Sequence, residues 1–423
     1  MPAPTRSVGR TFIARAAFPV LALLTASACA SRPAPGSAAP SANALPSIAP
    51  TSVPSMAPSP SGTPAPPPSV NARPVAWSAP AIVDGLQGCT SVVLAVDETG
   101  GDHLASDCGD PPSEIRYASS TDGTHWTTTT FKAPANRLEQ EPVLAFDGST
   151  FYLAYTRLAP EEGGCGADGL ADVGVWYRTR TLPAGPWSSP QQIGSTRDHL
   201  QAFRVSGSVI HATVANEKDG KTWYEIVAGG ATHRYELPGA AGSTALRVGD
   251  DGRARIAFEG AKGIVFGTFN GGGFKTGLIP GSTGGFDPTL ALAPGNTAEL
   301  LWSRAYHGIG CAEPGPQPED GTYFATNAGG TWATHKLSGA VGATSLIVDP
   351  ATGELHALII DGRIIDEFDK RAGAAWRKTR LSTTGWVYSP VIRQDPTTGG
   401  LVLAYVSQVG SDAPTEIAVM NKG

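Results

Sequence analysis

The chain lacks a basic stripe. Arg6, Arg10, Arg15 and Arg32 are the only charged side chains in the first seventy residues, and no Lys/Arg run follows them. The formal net charge is −6, so removing those four positive charges leaves −10 on the remainder. An acidic domain of this kind is a poor partner for nucleic acid or anionic lipid, and no nucleic-acid ligand is expected. Helical periodicity with end caps is also missing beyond the first seventy residues, which argues against an architecture built on helices. The apolar stretch from Ala16 to Leu24 is too short to span a bilayer stably. No Gly-x-Ser-x-Gly, His-Glu-x-x-His, P-loop or dinucleotide fingerprint is present, and nothing calls for a cofactor.

What is abundant is Gly (52) and Pro (36), together about a fifth of the chain, as suits many short strands joined by tight turns. The N-terminus has another logic. A basic segment to Arg15, the apolar stretch, and then Thr25-Ala26-Ser27-Ala28-Cys29 make the n-region, h-region and small-residue site of an export signal. Cys29 directly after Ala-Ser-Ala resembles the lipobox of bacterial lipoproteins. That resemblance implies that residues 1–28 are removed and that Cys29 carries a diacylglycerol, anchoring the protein on the extracytoplasmic face of the cell membrane. Ala26 departs from the Leu usual in that family, and ordinary secretion with cleavage after Ala28-Cys29-Ala30 is the alternative. With no twin-arginine pair, the general secretory route is expected. Residues 29–72 form a Pro/Ala/Ser-rich stalk, with twelve Pro between Ser31 and Val70. Such a segment has nothing to bury and is expected to be disordered and semi-extended, reaching up to ~130 Å.

Residues 73–423 repeat at intervals of roughly 40 to 60 residues, the range of propellers and solenoids. One half-unit is an apolar run, a turn and a second apolar run, as in Pro142 to Tyr155 and Thr244 to Phe258, with further copies from Pro288, Thr344 and Pro390 and poorer ones from Ser91 and Gln201. The other half is a strand, a Gly-rich turn and an aromatic, as in Tyr323 to Trp332 and Tyr117 to Trp126. Two hairpins make a four-stranded antiparallel sheet, and six such sheets follow in order. The C-terminus supplies three more strands (Val391–Arg393, Leu401–Val406, Glu416–Asn421), while one spare strand with its Trp lies at Val75 to Val83. Pairing the two ends completes a seventh blade and closes the ring. The expectation is an all-β, seven-bladed propeller and a monomer, with six blades as the alternative.

Ser120-Thr-Asp122-Gly123-Thr-His-Trp126 resembles the Asp box of sialidase-type propellers, a turn in which the Asp and Gly stabilise the backbone and the Trp packs into the blade. The resemblance implies fold and not chemistry, because the box lies on the face opposite that family's active site. Four cysteines remain after Cys29: Cys89, Cys108, Cys165 and Cys311. In an exported chain an even number favours two disulfides. All four map to one rim, formed by the starts of first strands and the loops between second and third strands. Cys89–Cys108 with Cys165–Cys311 is the favoured pairing, though three are open. Zinc is not expected, for want of Cys-x-x-Cys spacing.

The same rim carries the longest insertions, 159–173 and 306–321, and a set of polar and aromatic residues: Arg157, Arg304, Glu139, Glu141, Asp198, His199, Asn216, Glu217, Asp287, His307, Trp386 and Tyr388. Two Arg with carboxylates and aromatics suit an anionic sugar or a carboxylate ligand. The competing reading is that each Arg pairs with a neighbouring acid and tethers its own loop. Resemblance to sialidases implies an Arg cluster for a substrate carboxylate, a Tyr nucleophile activated by Glu and a separate Asp. Their Phe/Tyr-Arg-Ile/Leu-Pro motif has no counterpart here, and no catalytic residue is assignable. Arg204, Arg247 and Arg393 recur inside first strands, where they are expected between blades or along the channel. The expected function is non-catalytic binding of a glycan, peptide or envelope protein, with a divergent sialidase-like glycoside hydrolase as the alternative.

Overall fold

The computed structural model describes residues 76–109, 113–160, 170–183, 185–305 and 317–423. The expected signal and stalk (1–72), with Cys29, and also Cys165, His307 and Cys311 lie outside them. Seven four-stranded antiparallel sheets follow one another: blade 1 (93–132), blade 2 (138–193), blade 3 (198–236), blade 4 (240–278), blade 5 (285–338), blade 6 (344–382) and blade 7 (386–422 with 81–82). The first strands of consecutive blades pack side by side, and those of blades 7 and 1 also touch. The molecule is a seven-bladed propeller; the six-bladed count fails.

The ring closes as the leftover strand demands. Ala81–Ile82 pairs with Glu416–Lys422 in register Ala81↔Val419 and Ile82↔Ala418. The N–H of Ser78 reaches the Asn421 carbonyl (2.8 Å) and that of Val83 the Ile417 carbonyl (2.9 Å) on either side of this short pairing. Trp77 packs beside the core between blades 6 and 7 and donates its indole N–H to Glu367 (2.8 Å).

First strands are apolar on both faces because each is sandwiched between neighbours. The core is accordingly not one mass but seven clusters, each shared by two successive blades. Leu94 and Leu104 of blade 1 pack with Ala404, Val406 and Val419 of blade 7. Leu290, Leu300 and Trp302 of blade 5 pack with Ala257 and Ile264 of blade 4. Burying each such large side chain contributes about 1.5–3 kcal/mol. No blade can keep its core without both neighbours.

In blade 1 the Asp122 carboxylate accepts the Ser120 hydroxyl (3.0 Å) and the N–H groups of Thr124 and His125 (both 2.8 Å). The His125 imidazole, 2.7 Å from its other oxygen, and then the two backbone N–H groups hold the carboxyl well below the usual carboxylate range. Gly123 takes φ +69°, and a Cβ there would meet Asn421 Nδ2 at 2.9 Å, so this turn requires glycine for conformation and for space. Trp126 packs against the blade 7/blade 1 cluster. Cys89 and Cys108 form a disulfide across an antiparallel bridge.

Candidate functional site

The starts of the first strands surround one mouth of the central channel. Three of them are bulged at a residue preceding proline: Glu141-Pro142, Asp287-Pro288 and Ser389-Pro390, where register shifts interrupt the pairing. Glu141 (φ 54°), Asp287 (φ 50°) and Ser389 (φ 48°) occupy the left-handed region, costly for residues with a Cβ. The prolines are buried, whereas Glu141 and Asp287 are exposed. A bulge turns a side chain out of the strand's alternation, and here it presents two carboxylates at the mouth.

Arg157 lies three residues before the end of the second strand of blade 2 (Thr150–Pro160), opposite Glu139 on the first. Its Nε (3.0 Å) and a terminal nitrogen (2.5 Å) both donate to Glu139 Oε1. Its guanidinium also lies 4.2 Å from the Trp176 ring centroid. Burial raises the Glu139 pKa and Arg157 opposes the shift. Tyr155, two residues before Arg157, has its phenol pushed up by burial and by Glu139. A Tyr, a Glu and an Arg thus meet, but Tyr155 and Glu139 are 0 % exposed and Arg157 8 %. Substrate cannot reach them, and the pair is the internal tether of blade 2.

The accessible groups of this sector are Glu141 and His199. His199 bridges Glu141 (Nε2 to Oε2, 2.6 Å) and Asp172 (Nδ1 to Oδ1, 3.0 Å), joining the first strands of blades 2 and 3 to the third strand of blade 2. Burial would lower its pKa, but the two carboxylates overcome this and raise it to about 10. His199 is therefore an imidazolium at neutral pH, donating from both nitrogens. Asp198 receives Arg234 through both oxygens (2.9 and 3.0 Å) and the Asn216 amide (2.7 Å). Glu225 lies 3.3 Å from the same guanidinium, and burial plus the neighbouring Asp198 push it up to about 7. His199 and Arg234 are thus each shared by two acids. Glu217 sits 3.6 Å from Arg197 at its edge.

The sector formed by blades 5 to 7 differs. Trp386 and Tyr388, on the first strand of blade 7, are 46 % and 38 % exposed. Arg363 lies 5.5 Å from the Trp386 ring centroid, and Gly362 abuts that ring closely enough that a Cβ would stand 3.1 Å from it. Asp287 accepts the Ser243 hydroxyl of blade 4 (3.0 Å). Arg304 stands opposite Gly285 at the end of the second strand of blade 5. One mouth therefore offers exposed carboxylates from blades 2 and 5, Glu141 and Asp287, and open aromatic faces from blade 7, while Asp198 and Glu225 of blade 3 are fully buried behind them. Asp172, Glu225 and Arg234 were not singled out from sequence. They sit on third and fourth strands, and no local motif links them to Asp198 or His199.

Elsewhere, ligand atoms of His356, Glu367 and Asp369 lie within 4.8 Å of one another. Cations of the chain already occupy that space: Lys422 bonds Glu367 (2.6 Å) and Arg377 bonds Asp369 (2.7 Å). The arrangement is a closed salt-bridge network between blades 6 and 7, not a metal centre.

No family model matches the chain, and no curated protein does. Solved structures resemble it only in fold. Hydrazine synthase of Kuenenia stuttgartiensis shares 8% identity with a TM-score of 0.52, over 76% of this chain and 96% of that one. A protein of unknown function from Dyadobacter fermentans gives 13% and 0.49, over 82% and 98%. The NanB sialidase of Streptococcus pneumoniae gives 9% and 0.45, over 83% and 70%.

Proposed function

We propose that this chain is an exported, lipid-anchored envelope protein whose propeller mouth binds a neutral glycan without turning it over. One observation carries the reading of the ligand: the two cations at the centre of the blade 2–3 mouth, His199 and Arg234, are each already divided between two carboxylates, and Arg157 is buried against Glu139. An anionic sugar would meet uncompensated acids there. Hydroxyl groups, which donate to carboxylates, suit the sector well, and the open Trp386 and Tyr388 rings suit the apolar face of a sugar ring. A catalytic reading in the manner of sialidases finds no accessible Tyr–Glu pair in Tyr155 and Glu139. The Asp-box resemblance of Ser120 to Trp126 bears on ancestry of the fold and leaves the chemistry open.

The test is a binding array of neutral and sialylated oligosaccharides on the purified protein, run beside a panel of chromogenic glycosides that includes sialosides. Binding of neutral glycans, lost in Trp386→Ala with melting unchanged, supports the proposal. Turnover of any glycoside, or binding confined to sialylated glycans, overturns it in favour of a sialidase-like hydrolase. The anchor is tested separately: Cys29→Ala should move the protein from the detergent phase to the aqueous phase.

A further inference from the structure

The opposite end of the channel carries a different chemistry. The penultimate or near-penultimate position of each first strand is occupied in turn by Ala95, Ala145, Arg204, Arg247, Ala291, Ile347 and Arg393, all lining one cavity of about 620 Å³. Small residues at three of these positions leave the space that the three arginines enter. The arginines are equivalent in detail. Each follows a fully buried apolar residue (Phe203, Leu246 or Ile392) and donates one terminal nitrogen to that residue's carbonyl, at 2.7, 2.9 and 2.7 Å. In a ring of seven, blade 7 stands across the channel from the junction of blades 3 and 4. Arg393 thus faces the adjacent pair Arg204 and Arg247 from the far wall.

None of the three has an acid partner among the described residues. Asp250 is the carboxylate that lines this cavity; it is exposed at the rim and forms no ion pair with them. Burial and mutual repulsion lower Arg204 to about 9, burial lowers Arg393 to about 10, and burial plus both neighbours lower Arg247 further. A guanidinium does not give up its proton in a protein. The strain must therefore be met by a counter-charge from solution. Arg204, Arg247 and Arg393 are half-buried in the channel wall, and three like charges converging there without an acid is the arrangement of an anion site.

We propose that the channel end lined by Arg204, Arg247 and Arg393 binds a small multivalent oxyanion, of the phosphate-ester or polycarboxylate class. The cavity exceeds what a single inorganic ion needs, and the remaining N–H groups point donors from two opposite walls, which suits a molecule with anionic groups at both ends. This site is independent of the glycan mouth, so either can fail alone.

The experiment is calorimetric titration of the full-length protein with pyrophosphate, citrate and inorganic phosphate, with thermal melting in parallel. Pyrophosphate or citrate should bind more tightly than phosphate. Arg204→Gln, Arg247→Gln and Arg393→Gln should each weaken that binding about tenfold or more, the scale of one lost charged hydrogen bond. The exposed Arg371→Gln should leave it unchanged. Without anions at low ionic strength, Arg247→Gln should melt higher than the parent, because it relieves repulsion; a merely structural arginine would melt lower when removed. Testing three positions keeps the result readable if one variant misfolds. Absence of binding up to about 10 mM, or equal binding by all three variants, overturns the proposal. A preference for pyrophosphate over citrate, or the reverse, selects between a phosphorylated and a polycarboxylate ligand.

Discussion

Arg157 and Glu139 are joined through a single carboxylate oxygen, leaving Glu139 Oε2 buried without a hydrogen-bond partner. The pair spends the most conspicuous arginine of the rim on internal structure. Removing one partner strands the other charge in the interior. Arg157→Met should therefore destabilise the propeller by about 3–5 kcal/mol. The double variant Arg157→Met with Glu139→Leu should recover most of that loss, since a well-packed apolar pair often equals a buried ion pair. Urea unfolding of Arg157→Met, Glu139→Leu and the double variant tests both statements; additive losses would sink the tether reading.

His199 gives a pH signature. Its pKa in the folded state is raised from 6.5 to about 10, so its contribution to stability is fully present below pH 6.5 and is lost as pH rises toward 10. His199→Gln should be less stable than the parent at neutral pH, with the gap closing in alkali. Imidazole resonances of His199 should not titrate between pH 5 and 8. A midpoint near 6.5 would refute the double-carboxylate bridge.

Trp386 and Tyr388 differ from the tether in being open. Their truncation to Ala should change unfolding free energy by less than about 0.5–1 kcal/mol, while Trp386→Ala abolishes glycan binding. Arg304→Ala, on the matching strand of blade 5, tests whether the second inserted blade contributes to the same ligand.

The disulfide closes a loop of 19 residues in sequence. Cys89→Ser with Cys108→Ser should cost about 3 kcal/mol by the loop-closure argument, read as a lower denaturation midpoint. Trp77→Ala should cost about as much by a different route, losing its packing and its bond to Glu367.

The fold was legible because its grammar is local. Pro142, Pro288 and Pro390 mark the same point of three first strands, and the spare strand beside Trp77 forces the two ends together. Cys89 with Cys108, favoured among three open pairings, is the disulfide that forms. The site was legible only in part. Arg157, Glu139, Asp198 and His199 were recognisable as rim residues, yet whether an arginine is free or neutralised depends on strands far apart in sequence. Glu225 and Arg234 of blade 3 carry no signal until their strands pair with the one that bears Asp198. Arg204, Arg247 and Arg393 recur visibly, but their convergence exists only once blade 7 is set across the ring from blades 3 and 4.

The seam has a consequence for how the protein comes into being. Ser78 Oγ accepts the N–H of Asn421 across 343 residues of chain. A polypeptide made or moved across a membrane from its N-terminus carries Ala81–Ile82 unmatched until Ala418 and Val419 arrive. Clusters between blades 1 and 2 through 6 and 7 can form in order of appearance, whereas the one joining Leu94 to Val406 and Val419 must wait. Premature release a few residues short would leave two unsealed sheet edges, each a template for another unfinished copy.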